Sequence, residues 1–198
     1  MSASLPAPGY ALRAAFDLAW RRLSESNLAI VARRSASQES HGEIRLNYLG
    51  NEIVLTPAAH QLRGPSLSER EKLVVLHYLL TADGTVPAER PVSFSEIPGA
   101  AGYSEPFRGR VVRRLLKKFG ANPETLLARG RELGWQVGHF GDASVIAPAF
   151  PRVQVTLVLW SGDSELAPEG TVLFDANIRH YLDVEDVVVL CEEILRRL

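Results

Sequence analysis

The spacing of apolar residues changes at Gly134, and this change constrains the fold more than any other feature of the chain. Before Gly134, apolar side chains recur mainly every three or four residues, which is the spacing of an amphipathic helix. After it, residues 135–140 and 143–149 follow the two-residue spacing of a strand. Gly141-Asp142 between these two segments is a good hairpin signal. A largely antiparallel C-terminal sheet is therefore predicted.

The rest of the chain predicts a mixed α+β domain. Glycine, proline and capping residues mark where its helices begin and end; Ser68 with Glu71, for example, forms a capping-box pattern. Helices are expected over residues 9–26, from Ser68 to Asp83, over 105–119, from Asn122 to Gly134 and after Asp183. Further extended segments are expected over residues 28–33, 43–48, 51–55, 153–160 and 171–175. The predicted fold is a single α+β domain over residues 9–198, with an N-terminal helix and hairpin, a helical middle, and a C-terminal mainly antiparallel sheet closed by a helix. Residues 1–8 are expected to form a flexible N-terminus.

Composition and charge argue against several classes of protein. With 198 residues, 46% of them hydrophobic, the chain can bury a sizeable core. A formal net charge of −1 argues against a surface built to hold nucleic acid or an anionic membrane. No apolar run approaches the roughly 18 residues that cross a bilayer, and residues 1–8 do not resemble a signal peptide. The single Cys191 is expected to be a buried, inert thiol, and the protein to be cytoplasmic.

Six cations lie within eleven residues, from Arg108 to Lys118. In a helix, their spacing places five of them on one face: Arg110, Arg113, Arg114, Lys117 and Lys118. Such a face would hold phosphates, the carboxylates of a tetrapyrrole-like ligand, or an acidic partner protein through arginine contacts. The alternative is an ordinary solvated helix face. Arg108, Arg110, Arg113 and Arg114 are the candidate ligand-binding arginines.

Three acids, Asp163, Glu165 and Asp175, are candidates for a metal site. Asp163 and Glu165 lie in the turn after one predicted strand, and Asp175 ends the next. If both positions lie at the same edge of the sheet, the three carboxylates would suit Mg²⁺ or Ca²⁺, or two of them would share general acid–base work. The alternative is ordinary turn chemistry, in which each aspartate accepts hydrogen bonds from its own turn.

Trp160 and two histidines complete the set of candidate ligand-binding residues. Trp160 stands directly before the acidic turn, His139 precedes a predicted hairpin turn, and His180 follows Asp175. Either histidine would serve as the axial ligand of a bound cofactor. No pair of histidines has the spacing of a known metal-binding motif.

Several short segments together resemble a family of uncharacterised prokaryotic proteins that is best known from anaerobes. The resemblance covers roughly residues 10–197 and is carried by Val92-Ser-Phe-Ser-Glu-Ile-Pro-Gly, Phe107-Arg-Gly-Arg, Gly141-Asp142, Phe150-Pro, Trp160-Ser-Gly-Asp-Ser-Glu and Leu173-Phe-Asp. Some members of that family carry a cysteine-rich iron–sulfur domain of a kind found beside corrinoid proteins. The resemblance therefore implies a connection with a corrinoid or another tetrapyrrole. This chain departs from the family pattern at Ser164 and Leu166, where relatives usually have an acid and an aromatic residue.

These observations favour a non-enzymatic binding protein for a small anionic ligand, such as a corrinoid or another tetrapyrrole, or for a partner protein. The alternative is a small metal-assisted hydrolase that uses the three acids. We expect the loop 92–107 and the turn 160–165 to line one cleft, into which Arg110, Arg113 and Arg114 face. Helix periodicity requires these arginines to share a face, and an anionic group would lie against it.

Overall fold

Helices and antiparallel strands are interspersed along residues 8–198, the part of the chain that the computed structural model describes. The expected flexible segment 1–8 lies outside these residues except for Pro8, where the first helix begins. The helices are α1 (Pro8–Ser24), α2 (Leu28–Ser35), α3 (Glu69–Thr81), α4 (Ser104–Phe107), α5 (Arg113–Phe119), α6 (Glu124–Glu132) and α7 (Val184–Arg197). The strands are β1 (Gln38–Ser40), β2 (Glu43–Tyr48), β3 (Asn51–Thr56), β4 (Gln61–Arg63), β5 (Pro91–Ser93), β6 (Gln136–Val137), β7 (Ala143–Phe150), β8 (Val153–Trp160) and β9 (Glu169–Asp175).

The N-terminal sheet has the strand order β1-β2-β3-β4 and is antiparallel throughout. The predicted hairpin forms its centre, because Ile44 and Leu46 alternate with polar residues and are buried in the core. The prediction of an extended segment over 28–33 is wrong, since these residues belong to α2. Asn27 caps that helix by accepting a hydrogen bond from the backbone N–H of Ile30, which favours the helical conformation.

The C-terminal sheet has the strand order β5-β9-β8-β7-β6, and each of these neighbouring pairs is antiparallel. This arrangement confirms the α+β prediction and the antiparallel sheet after Gly134. Its inner face packs against helices: Gly130 of α6 lies against Val145, and Leu116 of α5 lies against Gly170. Side chains on this face, such as Leu157, are completely buried.

The final helix α7 lies in the centre of the domain, where it contacts α3 and the chain around residues 108–112. Every residue from Asp186 to Leu195 is buried, so the helix has no exposed face over that stretch. The sequence predicts that this helix closes the sheet, and the structure shows that it also forms much of the core. No helix within residues 8–198 is long and apolar enough to cross a membrane.

Candidate functional site

The six cations predicted on one helix lie along residues 104–119, which we call the basic helix. It consists of α4, a wide π-type turn over Arg108–Val112, and α5. In the wide turn the backbone N–H of Arg113 bonds to the carbonyl of Arg108, five residues before it. Turns of this kind are frequent at functional sites. The basic helix is therefore not a uniform α-helix, and a single α-helical spacing does not describe its whole face.

Arg110 is not a free ligand-binding residue, because it binds the buried Glu192 of α7. Its Nε and Nη2 donate hydrogen bonds of 2.9 and 2.8 Å to the two carboxylate oxygens. Burial by itself would raise the pKa of Glu192, but the hydrogen bonds from Arg110 and the charges of neighbouring arginines outweigh it and lower that pKa. Two further guanidinium groups approach the same carboxylate, that of Arg70 at 3.1 Å and that of Arg114 at 3.8 Å. Glu192 thus joins three basic side chains into one cluster.

The other candidate arginines are exposed. Arg108 lies 3.9 Å from Glu105 in a loose surface pair, and Arg113 faces solvent. Arg114 lines a small cleft of about 190 Å³ between α5 and the C-terminal part of α7. The lining of this cleft, which we call the basic cleft, consists of Arg114, Lys118, Glu192, Leu195 and Arg196. Of these, only Arg114 was among the candidate site residues from sequence; Arg196 comes from a distant part of the chain and joins the cleft only through folding.

Trp160 lies on the opposite side of the C-terminal sheet from the basic helix. Strand alternation turns Leu159 into the core and leaves Trp160 41% exposed on the outer side. The loop 92–107 does not line a cleft with the turn 160–165, because its aromatic side chains enter the core: Phe94 and Phe107 stack with their ring centroids 3.9 Å apart. The prediction of a single cleft that combines this loop, the turn and the arginines is therefore wrong.

We call the outer side of the C-terminal sheet the outer face; among the described residues, none of those that its strands contribute to this face is a lysine or an arginine. Cross-strand partners share a face, so one uncharged row crosses all five strands. This row consists of Ser93, Leu173, Thr156, Ile146 and Gln136. Further outward residues are Pro91, Pro148, Gln154, Trp160, Glu169, Thr171 and Asp175. Ser144 and Val158 lie on the same side but are buried beneath the turn 138–142, where Gly138 and Gly141 approach them. Apart from Trp160 and Asp175, these residues were not among the candidate site residues; the lack of lysine and arginine at alternate positions was the available signal.

The outer side of the N-terminal sheet is different, because it is crossed by ion pairs. Arg45 lies 3.4 Å from Glu52 and 3.9 Å from Glu43, and Arg63 binds Glu43 as well. Thr56 donates a hydrogen bond to Glu43 on the same face. Both sheets are antiparallel and each presents one side away from the core, yet only the side of the N-terminal sheet carries arginines and ion pairs.

Asp163, Glu165 and Asp175 do not form a metal site, and the prediction that the turn and the strand end share an edge is wrong. The turn 161–168 joins β8 to β9, so Asp175 lies at the far end of the second strand, six residues beyond the pair Trp160–Glu169. At roughly 3.3 Å per residue, this separation is about 20 Å. Among residues 8–198, no group of three or more histidine, cysteine, aspartate or glutamate side chains could hold a metal ion.

Each aspartate instead accepts hydrogen bonds from nearby backbone. Asp163 Oδ1 accepts from the N–H groups of Glu165 and Leu166, and these bonds lower the pKa of its carboxyl group. Asp175 Oδ1 accepts from the N–H groups of Ala88 and Asn177. The turn chemistry considered as the alternative is therefore what the structure contains, and it leaves the hydrolase hypothesis without its proposed site.

The two candidate histidines lie at opposite ends of the C-terminal sheet. His139 is exposed in the turn before β7, at the end of the sheet where β8 ends. His180 follows β9, and its Nδ1 lies 2.6 Å from Oδ2 of Asp83. A cleft of about 490 Å³ lies between the two sheets, but neither histidine lines it, nor do the candidate arginines. The residues predicted from sequence therefore do not fit a shared tetrapyrrole site.

Comparison with known proteins identifies one family. The family model described as a domain of unknown function (DUF3786) matches residues 27–197. This match confirms the resemblance to a family without an assigned function; its occurrence in anaerobes and the association with an iron–sulfur domain stay predictions. No curated protein and no solved structure gives a significant match.

Proposed function

The chain belongs to the DUF3786 family of domains of unknown function, and we propose that it is a binding protein that docks a protein partner on the outer face. The observation that supports this proposal most directly is the absence of lysine and arginine from that face. Charged residues make up 23% of the chain, and the corresponding side of the N-terminal sheet carries a network of ion pairs. The centres of protein–protein interfaces are depleted in charged residues and enriched in aromatic ones.

Exposed apolar residues at one end of the face agree with this proposal. Trp160, Phe140 and Leu166 are among the large hydrophobic residues that stay exposed. Phe140 lies in the turn before β7, and Trp160 and Leu166 lie at and after the end of β8, which meets the start of β7 at this end of the sheet. The backbone N–H of Asp142 bonds to the carbonyl of Leu159, which holds the turn containing Phe140 against the end of β8. Clustered apolar side chains on a monomer commonly mark a site of interaction.

The shape of the face favours a protein over a small molecule. Three strands of seven or eight residues and two edge strands of three and two residues, about 4.8 Å apart and with about 3.3 Å per residue, give a face of at most roughly 440 Å². Small ligands bind in concave pockets, whereas an extended sheet surface suits another protein. A standard interface covers about 800 Å² of each partner, so the face supplies about half of this area and the surrounding loops would supply the rest.

A photo-crosslinking amino acid at residue 156 tests the proposal. Thr156 lies in the middle of the uncharged row, and Thr56, which is also half-buried and faces outward from the N-terminal sheet, is the matched control. Irradiation of cells that produce each variant should give a protein adduct from residue 156 and none from residue 56. The substitution Thr156→Arg should abolish association with the partner that is identified in the adduct, while Thr56→Arg should preserve it.

Adducts of equal yield at both positions, or none at residue 156, would overturn the proposal. An adduct of twice the mass of the chain would identify the partner as a second copy, which analytical ultracentrifugation of the wild type and the Thr156→Arg variant would then test independently. Circular dichroism of both arginine variants shows whether a loss of binding reflects a loss of folding.

A further inference from the structure

We propose that the basic cleft binds a doubly charged phosphate group, either free phosphate or a phosphate ester, between Arg114 and Lys118. This site is separate from the outer face, because the basic helix packs on the other side of the C-terminal sheet through Leu116. A volume of about 190 Å³ suits one phosphate group, and the cleft is open to solvent on the side where Arg114 and Lys118 are exposed.

The charges around the cleft do not balance. Five cations and three carboxylates belong to the connected cluster, which leaves an excess of two positive charges. The cations are Arg70, Arg110, Arg114, Lys118 and Arg196, and the carboxylates are Glu185, Glu192 and Glu193. A phosphate dianion would neutralise this excess.

The excess is concentrated on two side chains. Arg110 is engaged by Glu192 at 2.8 Å, and Arg196 by Glu193 at 2.7 Å. Arg114 comes no closer than 3.8 Å to Glu192. Lys118 makes no ion pair with any described carboxylate, and its Nζ lies 3.5 Å from the carbonyl oxygen of Leu195. Arg114 and Lys118 are therefore the cations of the cluster that are not closely paired with a carboxylate; Lys118 Nζ also lies over the ring of Phe119, 5.5 Å from its centroid.

Helix geometry places these two cations next to each other. Residues four apart lie on the same face of an α-helix, and like charges at this spacing repel each other. A phosphate between them would remove this repulsion and accept hydrogen bonds from both the planar guanidinium group and the ammonium group. Two cations of different shape around one small cleft thus provide donors in different directions, which suits a tetrahedral anion.

The carboxylate in the cleft wall does not prevent anion binding. Both oxygens of Glu192 already accept hydrogen bonds from Arg110, and Arg70 lies 3.1 Å from one of them. The negative charge of Glu192 is therefore compensated on its inner side.

Binding of inorganic phosphate to the wild type and to two matched lysine variants tests the proposal. Lys118→Gln removes a cation that lines the cleft, whereas Lys117→Gln removes the neighbouring exposed cation that does not. Isothermal titration calorimetry at constant ionic strength should show phosphate binding to the wild type. The dissociation constant should rise at least about tenfold in Lys118→Gln, which loses a charge-assisted hydrogen bond, and stay within about twofold in Lys117→Gln.

Arg114→Gln is a second variant in which the affinity for phosphate should fall in the same way. Phosphorus NMR of bound phosphate measures binding independently of the heat of reaction. Equal effects of the two lysine substitutions would show diffuse attraction to the whole basic helix and would overturn the site. An absence of phosphate binding by folded wild-type protein would overturn it as well. A phosphate ester that binds more tightly than free phosphate, with the same dependence on Lys118, would identify the ester as the preferred source of the group.

Discussion

The Nδ1 atom of His77 lies 2.9 Å from both carboxylate oxygens of Asp186, and this contact joins α3 to the buried helix α7. The hydrogen bond to Asp186 raises the pKa of His77 above its ordinary value of 6.5, although partial burial acts in the opposite direction. The side chain of His77 is half-buried between these helices. Its partner lies 109 residues further along the chain.

We expect the His77–Asp186 pair to stabilise the fold most at low pH. Because the folded pKa of His77 is raised, the contribution is fully present below the unfolded value of 6.5 and is lost as the pH rises through the folded pKa. The free energy of unfolding of the wild type, measured with urea, should therefore decrease as the pH is raised from about 5.5 to about 9. The decrease should be smaller in His77→Gln. His139→Gln, at an exposed position, should leave the pH dependence unchanged. Identical curves for the wild type and His77→Gln would contradict this account.

Removing one partner of the Arg110–Glu192 pair should destabilise the protein strongly. Glu192 is only 6% exposed, so Arg110→Ala leaves a buried carboxylate without its bidentate partner. Loss of a buried ion-pair partner costs about 3–5 kcal/mol; since Arg110 is partly exposed and Arg70 remains, we expect about 2–3 kcal/mol in urea unfolding. Arg113→Ala, on the exposed side of the same helix, should cost within about 0.5 kcal/mol. Equal costs for the two variants would show that the pair contributes nothing specific.

Gly141 should tolerate alanine less well than Gly42. Both glycines have a positive φ, +60° and +78°, which costs an L-residue about 1–2 kcal/mol. A Cβ at Gly141 would also lie 2.5 Å from the carbonyl oxygen of Leu159, whereas a Cβ at Gly42 would meet no atom within 4 Å. The free energy of unfolding should thus fall further in Gly141→Ala, by about 1 kcal/mol or more beyond the effect of Gly42→Ala. A smaller effect at Gly141 would mean that the turn moves away from β8 at little cost.

Cys191 should not react with a thiol reagent in the folded protein. Its side chain is completely buried, and burial, with a smaller effect of the Glu192 charge, raises the pKa of its thiol. Since the thiolate is the reactive form, modification should require unfolding. Absorbance measurements with an aromatic disulfide reagent should show one thiol per chain in denaturant and negligible reaction in buffer. Rapid reaction in buffer would indicate that α7 opens locally.

Several elements were predictable because they depend on neighbouring residues. Strands β2 and β8 follow the two-residue alternation of Ile44-to-Tyr48 and of Val153-to-Leu159, and the capping box of Ser68 and Glu71 forms at the start of α3. Strand alternation and helix capping can be read from the sequence because each depends on residues only a few positions apart. The error at α2 is also local, since the capping role of Asn27 was available in the sequence.

The sites were much less predictable. Glu192 stands four residues before Arg196, and Glu193 four residues before Arg197, which is the spacing of ion pairs along one helix. Burial of α7 directs Glu192 to Arg110 and Arg197 to Glu71 instead. Spacing along one helix cannot show which other helix will cover it. For the same reason, the basic cleft between α5 and α7 could not be recognised from either helix alone.

The sequence by itself determined the fold class and the positions of most helices and strands, because periodicity and capping act over a few residues. Only the tertiary structure decided which of these features meet. Antiparallel pairing of β8 with β9 separates Asp163 from Asp175, and sheet alternation places Trp160 away from Arg114. Such contacts depend on strand order and on which face of each element the core buries, and these are settled by packing among residues distant in sequence.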